Sequence, residues 1–212
     1  MQLVSLLAGQ GSTCVDVGAN KGTWTERMRQ VVGKTGQVLS IEPQRQLSMY
    51  LQIGFGHREN VEVHDCAVSV RSGTRELKVP LRDGRAVSGH ATFGPTPPDA
   101  ITEKVRVETL DELVGERCPD FIKIDVEGHE LEVIEGSLRT IANRLPPMII
   151  EMMPGGPVSA TAQCFRLLTE TYGYQAGVMR ERGVLPITDW PNWEDRPSPN
   201  IIFAQDLPST SS

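Results

Sequence analysis

The stretch Cys14-Val15-Asp16-Val17-Gly18-Ala19-Asn20-Lys21-Gly22 joins a short apolar run to an acid and two glycines. The run predicts a buried strand over Thr13–Val17, and the glycines predict a turn where the backbone approaches a ligand. Asp16 favours a ligand with an ammonium group, because a carboxylate here would repel the pyrophosphate of a dinucleotide. An ordinary strand-to-helix turn without a ligand is the alternative.

Short apolar runs continue along the chain and alternate with helix-like stretches. This alternation predicts an α/β fold with a doubly wound, mostly parallel, seven-stranded sheet and an antiparallel edge strand. The predicted strands are Thr13–Val17, Gln37–Ile41, Val61–His64, Phe121–Ile124, Met148–Glu151, Tyr174–Val178 and Asn200–Ala204. The predicted helices are Trp24–Val32, His129–Ile141 and Ala160–Tyr172. The last two strands are expected to form the antiparallel edge.

Residues Cys66–Pro119 form a longer connection than a simple strand-helix repeat requires. A small hairpin is predicted in it between Ala67–Val70 and Arg75–Val79, followed by the loop Leu81–Ile101, which is rich in Gly, Pro and Ser. Long loops in compact domains often carry function. We interpret this segment, 66–119, as a substrate-facing insertion, with a surface excursion as the alternative.

Length and charge limit the classes of protein that fit. The 212 residues predict a single domain over 1–207 with a loose tail over 208–212. The net charge of -6 argues against nucleic acid or an anionic membrane as partner. No apolar run could cross a bilayer and Met1–Ala8 lacks a basic start, so a cytoplasmic protein is expected, compatible with a homo-oligomer. The four distant cysteines predict reduced thiols.

Two further strand ends carry groups that suit a nucleoside. The second predicted strand runs into Glu42 and Pro43, where an acid is placed to accept both hydroxyls of a ribose. The third runs into Asp65, Cys66 and Ala67, where a carboxylate and the neighbouring backbone can bond an adenine edge. Together with the acidic glycine turn, these ends predict a nucleoside that carries an amino acid.

The end of the fourth predicted strand is the most densely charged segment, with Lys123, Asp125, Glu127, His129 and Glu130. A lysine in a buried strand needs a partner, and the candidates are Asp125 and Glu151, which ends the fifth strand. The helix dipole alone would also favour Glu127 and Glu130 at a helix start. Two carboxylates at neighbouring strand ends are too few to predict a metal site.

These segments together resemble the FkbM-type methyltransferases. The resemblance extends from about Thr13 to Phe203 and rests on Val15–Gly22, Ile41–Pro43, Val107–Leu113, Ile122–Glu130, Ile149–Glu151 and Asn200–Phe203. It implies a Rossmann-like class I methyltransferase fold, S-adenosylmethionine as methyl donor, and an oxygen acceptor such as a hydroxyl of a sugar or secondary metabolite. Members commonly carry more chain before the first strand than Met1–Ser12, so either the site is more open, or the insertion or a partner subunit closes it.

The resemblance also assigns roles by position. It implies that the glycine turn meets the methionyl part of the donor through Asp16, Gly18, Asn20 and Gly22. It implies that Glu42, with Pro43, holds the ribose. It also implies that Asp65, Cys66 and Ala67 meet the adenine and that Asp125 lies near the sulfonium.

Methyl transfer to an alcohol also needs a general base within hydrogen-bond reach of the hydroxyl. The candidates are, in order, Asp125, then Glu127 or His129, then Glu151, with Lys123 as an electrostatic organiser. His90, in the loop of the insertion, could also reach an acceptor. Two alternatives are a donor-binding protein without catalysis and an NAD-dependent oxidoreductase; the missing Gly-x-Gly-x-x-Gly motif argues against the oxidoreductase.

Overall fold

The structure, a computed structural model, describes residues 3–95, 98–152, 158–180, 183–188 and 200–208. The described residues form two sheets. In chain order the strands are β1 Thr13–Val17, β2 Gln37–Ile41, β3 Val61–His64, β4 Ala67–Val68, β5 Gly73–Arg82, β6 Arg85–Ala86, β7 Ala100–Glu108, β8 Phe121–Ile124, β9 Met148–Glu151, β10 Gln175–Arg180, β11 Gly183–Ile187 and β12 Asn200–Ala204.

Helices cover this scaffold between the strands. They are α1 Leu3–Leu7, α2 Thr23–Val32, α3 Arg45–Phe55, α4 Leu110–Val114, α5 Glu130–Glu135, α6 Leu138–Arg144 and α7 Val158–Arg166, which continues as a π-helical turn over Leu167–Thr171. A 3₁₀ turn covers Ser88–His90. No helix among the described residues is long and apolar enough to span a membrane.

The large sheet has the order β11-β10-β12-β9-β8-β1-β2-β3. Strands β3, β2, β1, β8 and β9 are mutually parallel, and β12 runs antiparallel to β9 and to β10. The chain leaves β1 toward β2 and returns to the other side of β1 as β8, so the strand order reverses between β1 and β8. In open α/β sheets a ligand binds at such a reversal, beyond the carboxyl ends of the strands.

This topology confirms the predicted doubly wound, mostly parallel fold and adds one strand. The antiparallel β12 lies inside the sheet, and the edge is β11, which pairs with β10 and was not predicted. Pro186 lies within β11, and proline weakens a strand signal although an edge strand tolerates it. The predicted loop between the last two strands lies mostly outside the described residues.

Both faces of the large sheet are buried, which explains the continuous apolar runs of its strands. Val15 and Val17 pack on one face, while Cys14 packs on the other beneath α2. Asp16 and Lys123 share the α2 face and are neighbours across the β1–β8 ladder. The sheet therefore carries a polar group at the α2 end of an otherwise apolar face.

The helix predicted over His129–Ile141 is two helices, α5 and α6. A Cβ on Gly136 would overlap the backbone carbonyl of Ser69, so the chain bends here to pass close to the start of the insertion. The prediction missed α3, although its inner face buries Leu47 and Leu51. The helix predicted over Trp24–Val32 is confirmed and begins one residue earlier.

The insertion forms the small sheet, ordered β4-β7-β5-β6. The predicted hairpin between Ala67–Val70 and Arg75–Val79 is wrong, because β5 pairs antiparallel with β7 from Gly73↔Val107 to Pro80↔Ala100. The longer β7 satisfies more of the β5 backbone than four residues could. Part of the predicted loop Leu81–Ile101 is also strand, at the end of β5, in β6 and at the start of β7.

Candidate functional site

A pocket opens at the carboxyl ends of β1, β2, β8 and β9, on the switch point of the sheet. It encloses about 750 Å³ of empty space, including the part open to solvent. The predicted site residues that line it are Gly18, Asn20, Glu42, Pro43, Cys66, Ala67, Asp125, Glu127, His129 and Glu151. Four other predicted residues, Asp16, Gly22, Asp65 and Lys123, do not line it.

The glycine turn after β1 forms one wall of the pocket. The N–H groups of Gly18 and Ala19 both donate to the carbonyl of Ile41 at 3.0 Å, which ties the turn to the end of β2. Gly18 has φ +80°, and a Cβ there would overlap the carbonyl oxygen of Asp125. Only glycine lets the β1 and β8 turns approach this closely. Asn20 has φ 50°, a left-handed conformation that asparagine tolerates better than most residues.

Glu42 lies at the bottom of the pocket and is only 2% exposed. Its Oε2 accepts from the N–H of Asn20 at 2.8 Å, and its Oε1 accepts from the N–H of Gln44 at 2.9 Å. Burial raises the pKa of this carboxyl to about 7. Each carboxylate oxygen has a second acceptor site, so Glu42 can still accept two hydroxyls of a ligand.

Asp16 lies behind the pocket, inside the sheet. The hydroxyl of Thr25, in the first turn of α2, donates to Asp16 Oδ2 at 2.6 Å and also contacts Ser40 Oγ at 2.8 Å. The other oxygen, Oδ1, is buried and has no hydrogen-bond partner among the described residues. Burial raises the pKa of Asp16 to about 6. Asp16 thus supports the turn from below rather than lining the pocket.

Lys123 is fully buried in β8, and its ammonium lies 3.4 Å from Asp125 Oδ2. Its Nζ also donates to the carbonyl of Ile124 at 3.0 Å and lies 5.5 Å from the ring centre of Trp24. Of the two partners that the sequence suggested, Asp125 is the one in contact. The buried ammonium is therefore paired with a carboxylate at the carboxyl end of its own strand.

The carboxyl group of Glu151, at the end of the neighbouring strand β9, lies beside that of Asp125. Burial, and then this contact with Asp125, raise the pKa of Glu151 to about 7. Glu151 is therefore partly protonated near neutral pH. Among the described residues, no group of three or more His, Cys, Asp or Glu could hold a metal ion.

The turn after β8 brings Glu127 to the pocket in an unusual conformation. Its φ is 53°, and the next residue, Gly128, has φ 92°. A left-handed glutamate costs roughly 1 kcal/mol, and such strain is concentrated at functional sites. Glu127 Oε2 lies 3.8 Å from Nδ1 of His90, which comes from the insertion. Burial raises the pKa of Glu127.

His129 lines the pocket with both ring nitrogens engaged. Nε2 lies 3.0 Å from Ser69 Oγ, and Nδ1 lies 3.4 Å from Glu132 Oε2. Phe93 packs against the imidazole with ring centres 4.9 Å apart and ring planes tilted by 55°, and the Arg75 guanidinium lies 4.5 Å from the Phe93 ring centre. Burial lowers the pKa of His129, so the ring is neutral at neutral pH. These contacts fasten the insertion to the end of β8.

Two predicted ligand residues lie beside the pocket. Gly22 is the N-cap of α2, and a Cβ there would overlap Phe55 and Leu51 of α3, so it serves helix packing. Asp65 is exposed, accepts from Ser48 Oγ at 2.9 Å and borders a separate open groove. Its neighbours Cys66 and Ala67 do line the pocket.

The sequence did not identify several wall residues, all without a motif of their own. They are Gln44, Leu77, Gly89, Ala91 and Phe93. Four of these lie in the insertion, and the unusual length of that segment was the one signal that pointed to it.

Comparison with known proteins decides the class of this site. The family model of the methyltransferase FkbM domain matches residues 16–175, which include every strand end around the pocket. The chain belongs to the FkbM methyltransferase family. The predicted family is therefore confirmed, and so is the predicted cofactor, S-adenosylmethionine.

Solved structures share the fold of this FkbM methyltransferase domain. Methyltransferase FkbM from Methylobacillus flagellatus is 21% identical with a TM-score of 0.60; the match covers 93% of this chain but only 45% of that one. Fibrillarin from Aeropyrum pernix, solved with natively bound S-adenosyl-L-methionine, is 13% identical over 92% of this chain and 67% of its own, with a TM-score of 0.53.

A third structure extends the range of relatives. The O-methyltransferase TomG from Streptomyces achromogenes is 11% identical over 97% of this chain and 79% of its own, with a TM-score of 0.51. At these identities the similarity establishes the class I methyltransferase fold. No curated protein sequence matches the chain significantly.

Proposed function

We propose that this FkbM methyltransferase transfers the methyl group of S-adenosylmethionine to a hydroxyl of a small molecule. The observation that carries the proposal is the charge of the pocket. Four carboxyl groups line it, from Glu42, Asp125, Glu127 and Glu151, and the nearby ammonium of Lys123 is buried behind them. Such a pocket attracts a ligand with a sulfonium and an ammonium group and repels a pyrophosphate.

The donor fits the pocket by parts. We propose that Glu42 binds the two ribose hydroxyls, since its oxygens are fixed by backbone N–H groups and keep free acceptor sites. In this proposal Cys66 and Ala67 border the adenine, with Asp65 beside them. Gly18 and Asn20 border the methionyl part, while Asp16 and Gly22 maintain the conformation of that turn.

The bound donor supplies an electrophilic methyl group, which an acceptor oxygen attacks in line with the bond to sulfur. We propose that the Asp125–Glu151 pair lies beside the sulfonium and stabilises the donor cation. Lys123 contacts Asp125 from the buried side and holds its carboxylate in place. His129, with both nitrogens engaged, supports the wall and fixes the position of the insertion.

The acceptor side of the proposal rests on the insertion. Leu77, Ala91 and Phe93 from this segment line the pocket opposite the glycine turn. We propose that the acceptor enters between them and Glu127, which makes the insertion substrate-facing. Its apolar side chains suit the carbon skeleton of a hydroxyl-bearing small molecule.

Calorimetry tests the donor assignment. We expect binding of S-adenosylmethionine and of S-adenosylhomocysteine, and none of NAD. Glu42→Gln should weaken donor binding by about tenfold or more, because the amide nitrogen cannot accept from a ribose hydroxyl. Glu59→Gln, on the exposed surface, is the matched control. Binding of NAD in place of the donor would refute the proposal and support the oxidoreductase alternative.

A transfer assay tests catalysis itself. Donor labelled in the methyl group is incubated with panels of sugars, phenols and alicyclic alcohols, and the label is followed into ether products. Label in a methyl ether supports the O-methyltransferase proposal. Tight donor binding with no transfer to any panel would instead identify a donor-binding protein without this activity.

A further inference from the structure

The insertion brings an imidazole to the mouth of the pocket. His90 ends the 3₁₀ turn Ser88–His90, and its neighbours in the chain, Gly89 and Ala91, both line the pocket. Its Nδ1 lies 3.8 Å from Oε2 of the pocket residue Glu127. The His90 side chain is 69% exposed and lies beside the pocket lining rather than in it.

The other ionisable groups of the pocket are engaged elsewhere. Glu42 is held by two backbone N–H groups, and Asp125 is shared between Lys123 and Glu151. Both ring nitrogens of His129 have partners. Within the described residues, Nε2 of His90 has no hydrogen-bond partner. His90 can therefore take a proton from an acceptor at Nε2 without breaking an existing contact, and its Nδ1 remains available to Glu127.

The Glu127–His90 contact has the arrangement of a carboxylate that orients a histidine base. A carboxylate that accepts from Nδ1–H leaves the lone pair on Nε2 and stabilises the imidazolium that forms. Glu127 reaches this place because its backbone is left-handed, with φ 53°. This conformation has an energetic cost that an acid without a role in the pocket would not require. The 3.8 Å separation is long for a hydrogen bond, as is common before substrate binds.

We propose that His90 is the catalytic base of the methyl transfer and that Glu127 is its positioning residue, an inference that rests on the proposed function. As the acceptor oxygen forms its bond to the methyl carbon, the carbon–sulfur bond breaks and its electron pair stays on sulfur. The hydroxyl proton passes to Nε2 of His90. The imidazolium is neutralised by Glu127 and later returns the proton to solvent.

Two acceptors of different acidity distinguish a base from a structural residue. In mildly alkaline buffer benzyl alcohol must lose its proton during attack, whereas 4-nitrophenol is already ionised. His90→Gln should lower kcat for benzyl alcohol by about 10²- to 10⁴-fold and leave 4-nitrophenol nearly unchanged. The exposed His57, remote from the pocket, provides the control His57→Gln. Calorimetry should show unchanged donor affinity in His90→Gln and in His57→Gln.

A double-mutant cycle tests the pairing. Glu127→Gln should lower kcat for benzyl alcohol less than His90→Gln does, and the double variant should be no slower than His90→Gln alone, because the two residues act as one unit. Multiplicative losses would show that Glu127 does not act through His90 and would overturn the pairing.

The tautomer of His90 gives a readout that needs neither donor nor acceptor. In protein with ¹⁵N-labelled histidine, the His90 signals are assigned by their loss in His90→Gln. We expect the neutral ring to carry its proton on Nδ1, and Glu127→Gln to move it toward Nε2. A wild-type ring protonated on Nε2 would overturn the proposal.

Failure of this inference is distinct from failure of the proposed function. Equal losses with both acceptors, or no loss in His90→Gln, would refute His90 as the base while leaving methyl transfer intact. Wild-type protein that binds the donor but methylates neither probe, and no acceptor of the panels, would refute the proposed function and the base with it.

Discussion

Gly18 and the backbone carbonyl of Asp125 are so close that a Cβ on Gly18 would overlap the carbonyl oxygen. The two residues directly follow β1 and β8, the strands between which the sheet order reverses. This contact presses the glycine turn against the charged turn that carries Asp125 and Glu127. The shape of the pocket therefore depends on position 18 being a glycine, which has no side chain.

Gly18→Ala should destabilise the fold more than a positive φ alone explains. Alanine at φ +80° costs about 1–2 kcal/mol, and the overlap with Asp125 adds to that cost. Gly84→Ala is a matched control, because Gly84 has φ +71° and nothing within 4 Å of its added Cβ. Urea unfolding should give a loss about 2 kcal/mol or more larger at position 18 than at position 84. Equal losses would mean that the turns can separate.

The contribution of Asp16 to stability should fall as the pH rises from about 4 to about 7. Burial raises the pKa of Asp16 from 3.8 to about 6, so the folded state holds this proton more tightly than the unfolded state. The stabilisation is complete below the unfolded pKa and is lost as the pH rises through about 6. Asp16→Asn should flatten the pH dependence of the unfolding free energy by about 2–3 kcal/mol.

The exposed Asp206 supplies the control for this measurement, since Asp206→Asn should leave the pH dependence as it is in the wild type. The same sign applies to Glu42 and Glu151, whose pKa values burial raises to about 7. An Asp16→Asn variant with the same pH dependence as the wild type would contradict the raised pKa of Asp16.

Donor binding should release protons at weakly acidic pH. With pKa values of about 7, Glu42 and Glu151 are largely protonated in the free protein below neutrality. A cation among the carboxylates favours their ionised forms, so up to about one proton should leave on binding near pH 6.5, and affinity should rise toward neutral pH. Calorimetry in buffers of different ionisation enthalpy counts the protons. No release would place the cation away from these acids.

Phe93→Ala should loosen the insertion without affecting the donor. The ring connects Arg75 to His129 through two stacking contacts, worth together about 1–2 kcal/mol. We expect faster hydrogen exchange over residues 83–95, a higher KM for the acceptor and an unchanged donor affinity. Phe93→Tyr keeps both contacts and should behave as the wild type. Unchanged exchange in Phe93→Ala would show that other contacts hold this segment.

Local patterns predicted the core of the fold because the information lies within a few residues. The run Val15–Gly22 specifies a buried strand and the turn after it, and the acids at Glu42 and Glu151 follow apolar strands directly. Parallel strands place their carboxyl ends at one edge, so these acids were expected together. The hairpin was mispredicted because β5 and β7 are joined by a long loop, and sequence patterns do not specify a distant partner.

The sequence by itself determined the family, the doubly wound sheet and the acids that ring the pocket, since motifs and periodicity are local properties. Only the tertiary structure decided which of those acids line the pocket and which other side chains they contact. Packing beneath α2 removes Asp16 from the pocket, and the Lys123–Asp125 and Asp125–Glu151 contacts depend on the alignment of three strands. The meeting of His90 with Glu127 likewise depends on how the insertion folds back over β8, a long-range arrangement that no local pattern encodes.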